Sequence, residues 1–376
     1  MQGAATVIAD EIEAKGPIGF DRFMELALYH PEDGFYASGG RAGRRGDFLT
    51  SPEVGPLFGA VLARAIDRWW DELGRPEPWV VVDAGAGPGT LAASVLAAEP
   101  ACAGALRYVL VERSGPQRAR HGEHLDLTPP AYVFMGGAEP DDDPAELPPG
   151  PQVVSLAELP RVTVTGVVVA NELLDNLPTR LVQRRADGWD VVLVGTSQLS
   201  DGFVEVLVPA SAELAELADR LAPATAPGAR LPIQERASAW LRDVLAMLER
   251  GRIMVFDYGD RSASLSQRPP DEWLRTYRAH EPGLPPLDAA GSQDITCEVA
   301  FDQLDRVRSA TTTRTQAEFL AEHGIEELVE TGRQRWEERA AIGDLEALAA
   351  RSRVREAEAL VDQEGLGAFV ALEWAI

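Results

Sequence analysis

The run WVVVDAGAGPGTLAASVLA (79–97) limits the possible folds more than any other part of the chain. Trp79–Asp83 is a short apolar, β-branched run, which suits a strand buried on both faces. Gly85, Gly87 and Gly89 follow at alternate positions, and a helix is expected from Thr90. Glycines there let the chain turn sharply and approach a ligand closely, because no Cβ intervenes. The helix N-terminus beyond them offers free N–H groups to an anionic part of a ligand. In open α/β sheets this is the binding crevice.

The rest of the chain continues that rhythm. Arg107–Glu112 (RYVLVE), Ala131–Met135, Gly166–Ala170 (GVVVA) and Arg252–Asp257 (RIMVFD) are expected as further strands, and Ala368–Ile376 as a last one closing the sheet. Strands alternating with helices imply a doubly wound α/β sheet. Residues 1–75 are expected as a helical N-terminal cap: Ile8–Ala14, Phe20–Leu28 and Phe58–Trp70 carry apolar residues at helical spacing. The Gly/Arg-rich stretch 34–53 breaks any period and is expected to be a loop. The core is then expected over 76–376, with two insertions. Residues 180–208 alternate around Asp187–Gly188 and Asp201–Gly202, both hairpin signals. Residues 261–300 are rich in proline and glycine and are expected to form an irregular lid, and 138–152 an exposed acidic loop.

Composition narrows the function. The 376 residues suit one elaborated domain or two, and 45% hydrophobic with 25% charged residues is ordinary for a globular protein with a sizeable core. With 60 acidic against 35 basic side chains the net charge is −25, which disfavours nucleic acid and anionic membrane surfaces and favours a positively charged partner. Lys15 is the only lysine, so lysine-based covalent catalysis has a single candidate outside any motif. Cys102 and Cys297 are too few for a zinc cluster and form no C-x-x-C pair; no metal is expected. The acidic start lacks a signal peptide's pattern, and no window offers about 18 continuous apolar residues, so a cytoplasmic protein without membrane insertion is expected.

The ligand can be narrowed further. A dinucleotide fingerprint G-x-G-x-x-G needs glycine at position 90, where Thr90 stands. The observed G-x-G-x-G, with Asp83 two positions before its first glycine, is similar to the first motif of class I S-adenosylmethionine (SAM) methyltransferases. Asp83 would face the cofactor's ammonium group. Glu112 ends the second strand, where one carboxylate can accept from both ribose hydroxyls. After GVVVA comes NELLDNLP (171–178) with Asn171, Glu172 and Asp175; in methyltransferase-like folds this loop faces the transferable methyl. Glu172 and Asp175 are three apart, so one helical turn would place them together. Two carboxylates suit a guanidinium, which they can bind and orient. The proton is lost easily after transfer, so no strong base is required.

The blocks 16–36, GDFLTSPEVGPLFG (46–59), DAGAGPGT (83–90), VVVANELLDNLP (167–178), FDYGD (256–260) and SQDITCEV (292–299) together resemble one family. It is the SAM-dependent methyltransferase family of bacteria and mitochondria whose mitochondrial member assists assembly of respiratory complex I as a protein-arginine methyltransferase. The resemblance implies a class I, Rossmann-like fold with Gly85, Gly87, Gly89 and Glu112 around the cofactor and Asn171, Glu172 and Asp175 on the acceptor side. It also puts Thr50, Ser51 and Glu53 over the cofactor. The bare residues allow another reading of that loop, a turn capped by Ser51 before a helix started by Pro52. The implied partner is a protein with a basic segment, a complex I core subunit among the candidates. The oligomeric state stays open, a homodimer included. Arg180 stands where the family has histidine, and Cys297–Ala300 where it has Ala-His-Val-Asp. An Arg180 close to the site would disfavour a cationic acceptor unless it paired with Glu172 or Asp175. A non-catalytic SAM-binding assembly factor and a small-molecule methyltransferase are the alternatives.

Overall fold

The structure, a computed structural model, describes residues 2–37, 50–130, 133, 149–197, 202–278 and 281–376. Its frame is a seven-stranded sheet. In chain order the strands are β1 (Trp79–Ala84), β2 (Leu106–Val111), β3 (Gln152–Leu156), β4 (Val164–Asn171), β5 (Leu248–Asp257), β6 (Thr312–Thr315) and β7 (Val370–Ala375). They lie side by side as β6-β7-β5-β4-β1-β2-β3. The five strands from β5 to β3 are parallel, and β7 runs antiparallel between β5 and β6. The C-terminal run is a strand of the sheet, as expected, but it does not close it: Thr312–Thr315 pairs outside it and forms the edge.

Every residue of β1 and β2 is buried, because helices cover both faces. One face carries Val81, Val167, Val169 and Phe256 under the helices Leu57–Glu72 and Thr90–Ala97. The other carries Val80, Val82, Val168 and Ile253 under the helix Glu235–Met247. β4 approaches β1 closely at Gly166. A Cβ on Gly166 would stand 1.8 Å from the Val80 carbonyl oxygen, so β4 can pass β1 only with glycine there.

The strand expected at 131–135 lies mostly outside the described residues, and the outer neighbour of β2 is another segment. Of residues 131–135 only Val133 is described, and it is helical. The neighbour is QVVSL (152–156), whose short apolar centre directly follows a proline-rich run and is obscured by it. The loop expected at 138–152 lies mostly outside the described residues.

The N-terminal segment divides. The helix Leu57–Glu72, expected with the cap, packs on the sheet. The helices Ala4–Lys15 and Phe20–Tyr29 instead share a separate core with both insertions: Ile8, Phe23 and Leu28 meet Leu181, Val192, Trp273 and Ile295. The first insertion is the hairpin expected, Arg180–Arg185 with Gly188–Thr196, extended by Phe203–Pro209. Ile18–Gly19 pairs with it at Val194 and Leu193. The second insertion is not an irregular lid. It contains a three-stranded sheet of Leu274–Arg278, Glu281–Pro282 and Asp294–Cys297, and Trp273, Leu274 and Ile295 are buried in the shared core.

Candidate functional site

A cavity of about 240 Å³ opens at the C-terminal ends of β1, β2 and β4, where an open α/β sheet leaves its crevice. The glycine loop forms one wall. Gly85, Gly87 and Gly89 all have positive φ, at 75°, 53° and 89°. Gly87 is pinned at both ends. Its N–H donates to Glu112 Oε2 over 2.9 Å, and its carbonyl lies 2.8 Å from His121 Nε2. A Cβ at Gly87 would meet nothing within 4 Å, so that side of the loop is open to a guest.

Glu112 also accepts the Ser114 N–H through Oε1 at 2.7 Å, and burial raises its pKa. A carboxylate has about four lone-pair sites, so acceptor capacity remains for further hydroxyl groups. Asp83 lines the cavity at the end of β1. Burial pushes its carboxyl up to about 7, opposed by the Tyr108 hydroxyl, which donates to it over 3.3 Å. A positive guest would favour its ionised form. Ala157, Leu159 and Trp240 supply an apolar wall suited to a flat heterocycle.

The segment after the Gly/Arg-rich loop closes another side. Thr50, Pro52 and Glu53 line the cavity, and Glu53 accepts from the Thr90 hydroxyl at 2.6 Å. Ser51 is buried instead. Its hydroxyl donates to Gln316 Oε1 and its N–H to Glu172 Oε1. The short helix Ser51–Val54 has no side-chain cap. Residues 46–49 of the same block lie outside the described residues.

The loop after β4 does not form one helical turn. Glu172 has φ 50°, a left-handed conformation that is costly for a residue with a Cβ, and only Leu174–Asn176 makes a 3₁₀ turn. The turn sends the two acids different ways. Asn171 and Glu172 line the cavity. Asp175 is buried behind it, where it accepts from the Tyr258 hydroxyl at 2.9 Å. Asp257, at the end of β5, organises the turn by accepting the Leu174 and Tyr258 N–H groups at 2.9 Å each.

The electrostatics are one-sided. Burial, then repulsion from Asp175, pushes Glu172 up to about 8. Burial pushes Asp175 up to about 6 and, with repulsion from Asp175, Asp294 to about 7. Among the described residues, no arginine or lysine figures among the causes of any of the three shifts. Arg180 is not a partner either, because it pairs with Asp21 at 3.7 Å and Glu235 at 3.3 Å. Glu298, in the altered block, pairs with Arg268 and Arg275.

Several of these residues had weak signals in the chain. Tyr29, Tyr36 and Trp240 sit on helices or turns whose apolar pattern suggests core alone. His121 meets Gly87 and Ser155 only through the fold, 34 residues from each. Asp257 and Asp294 do stand in two of the family-like blocks, FDYGD and SQDITCEV. His30 lies by Asp33, and His280 is outside the described residues. Cys102 and Cys297 are buried free thiols.

Known proteins share this architecture. Residues 61–319 match the family described as "Putative S-adenosyl-L-methionine-dependent methyltransferase". A crystal structure from Burkholderia thailandensis, bound to S-adenosyl-homocysteine, is 30% identical with a TM-score of 0.80, covering 99% of this chain and 92% of that one. The mitochondrial protein arginine methyltransferase NDUFAF7 of Bos taurus is 27% identical over 339 residues, 84% of this chain and 72% of the bovine protein. Its Drosophila melanogaster homologue is 27% identical over 327 residues, 78% and 68% of the two chains. The open face of Gly87, the carboxylates of Asp83 and Glu112 and the apolar wall all fit S-adenosyl-L-methionine. The chain belongs to this family of S-adenosyl-L-methionine-dependent methyltransferases.

Proposed function

We propose that this chain methylates a guanidinium nitrogen of an arginine side chain in a protein acceptor. The observation that carries the reading is the group of carboxyls formed by Glu172 on the cavity wall and the buried Asp175 and Asp294 behind it, with no basic side chain among the described residues set against them. A buried acid without a cation is costly, and an incoming guanidinium would relieve that cost. The names of the bovine and fly relatives support the same acceptor class.

When bound, SAM supplies an electrophilic methyl on a sulfonium. The chain's own residues do the rest. Asp83 would hold the cofactor's ammonium and Glu112 its ribose hydroxyls, while Gly85, Gly87 and Gly89 let the backbone come close. Thr50 and Glu53 cover the cavity, and the Ser51 amide steadies Glu172 from that side. Asn171 and Glu172 would orient the acceptor nitrogen, with Asp175 behind them. Such a site works by positioning and electrostatics, and the nitrogen's proton leaves after transfer. The family resemblance extends the proposal to a complex I core subunit as the acceptor, met in the cytoplasm.

The test is S-adenosyl-homocysteine formation with a peptide carrying one arginine, against its lysine and citrulline counterparts. Turnover with the arginine peptide alone is the expected result. Equal turnover with lysine, or none with any of the three, would overturn the acceptor assignment.

A further inference from the structure

Behind the cavity wall lies a group of hydrogen-bond acceptors with too few donors. Asp175 and Asp294 are 3% and 0% exposed. Asp294 Oδ1 accepts from the Tyr36 hydroxyl at 3.2 Å, Asn176 Nδ2 at 3.1 Å and the Ile295 N–H at 3.0 Å. Its Oδ2 accepts from nothing, and neither does Asp175 Oδ1. On the cavity wall itself, Asn171 Oδ1 is a third unmet acceptor. Most neighbouring donors are already used, the exception being the Thr296 hydroxyl two residues along the same strand, which has no partner among the described residues. Tyr29 donates to the Asn176 carbonyl, Tyr258 to Asp175, and Asn176 to Asp294 and the Ile295 carbonyl. A buried acceptor left unmet is destabilising, so unmet acceptors on and behind one wall call for a guest rich in donors. A guanidinium brings five N–H donors in a plane and a positive charge.

We propose that Asp294 and Asp175 form the floor of the acceptor pocket and bind the acceptor's cationic head through the free Oδ2 and Oδ1. This rests on the guanidinium reading above and adds to it a residue from a different part of the chain. Asp175 comes from the turn after β4, whereas Asp294 comes from the three-stranded insertion. Tyr36 and Asn176, both bonded to Asp294, are also on the cavity wall. In this proposal the Tyr36 ring moves aside to admit the acceptor, giving up its hydrogen bond to Asp294 Oδ1. The other ionisable groups around the floor are Glu172, Asp257, Tyr29 and Tyr258. Among the described residues, two cations that stack on tyrosines of this region have carboxylate partners: Arg275, over the Tyr258 ring, binds Glu298, and Arg113, over the Tyr29 ring, binds Glu25. Asp294 therefore selects for positive charge, while the glycine loop selects the cofactor.

The probe is a 5′-thioadenosine carrying a tethered guanidinium, compared with the same compound carrying an uncharged urea, each titrated calorimetrically alongside S-adenosyl-homocysteine. Wild type should prefer the guanidinium probe. In Asp294→Asn the preference should fall about tenfold while S-adenosyl-homocysteine binding stays within about twofold. Asn keeps an acceptor for Tyr36, and a merely structural defect would weaken both probes equally. Asp175→Asn is the second variant, with the same expectation. An unchanged preference in both variants overturns the floor and leaves the guanidinium reading standing. No preference in wild type overturns that reading, and the floor with it.

Discussion

The Gly87 amide and the Glu112 carboxylate, 25 residues apart in the chain, meet at 2.9 Å. One acid thus shapes the cofactor loop and presents spare acceptor capacity to the cavity. Glu112→Ala should weaken S-adenosyl-homocysteine by about 2–3 kcal/mol, roughly 30- to 150-fold, since charged hydrogen bonds are lost on both sides. Gly87→Val should abolish binding, because a β-branched residue at φ 53° is strained and fills the open side. Near-native titrations for either variant would remove this loop from the cofactor site.

His121 grips the same glycine from its carbonyl end. A carbonyl only accepts, so Nε2 carries the proton and Nδ1 accepts from the Ser155 hydroxyl at 2.8 Å. Burial lowers its pKa, which keeps the ring neutral. His121→Phe should cost about 1–1.5 kcal/mol of cofactor affinity, roughly 5- to 10-fold. Nitrogen NMR of the ring provides an independent check, and a proton found on Nδ1 would contradict the arrangement.

The acid cluster sets how stability varies with pH. Asp175, Asp294 and Glu172 titrate at about 6, 7 and 8 in the folded chain, but near 4 when unfolded. Between about pH 4 and 8 the folded state therefore holds more protons than the unfolded state, and these groups make stability fall as pH rises. Asp294→Asn should remove one share, on the order of 3 kcal/mol between pH 5 and 8. Urea unfolding at both pH values measures it, and parallel pH profiles for variant and wild type would refute it.

Arg180 gives a contrasting expectation. Its partners Asp21 and Glu235 are partly exposed, and such pairs contribute about 0–1 kcal/mol. Arg180→Ala should change stability by no more than that and leave the guanidinium-over-urea preference intact. A change in that preference would mean that this arginine acts on the acceptor after all.

The sheet and the cofactor loop were legible in the chain because buried parallel strands and αL glycines have local signatures. VVVDAGAGPGT announces both the strand and the turn. The strand at 152–156 was hidden because Val153 and Val154 are only two apolar residues after a proline run. The spacing of Glu172 and Asp175 suggested a shared helical face. The positive φ at Glu172 breaks that helix and separates the two acids, and no single-residue preference encodes such a conformation. His121, Tyr36 and Asp294 act through partners more than 30 residues away, a relation that no local pattern carries.

The pairing of Ile18 with Val194 joins the start of the chain to an insertion placed between β4 and β5. A graft that exchanges the hairpin 180–208 for a relative's hairpin, without also exchanging the first helices, would leave two half-cores with unmatched faces. The first helices and the hairpin thus form one packed unit, separate from the core that carries the glycine loop.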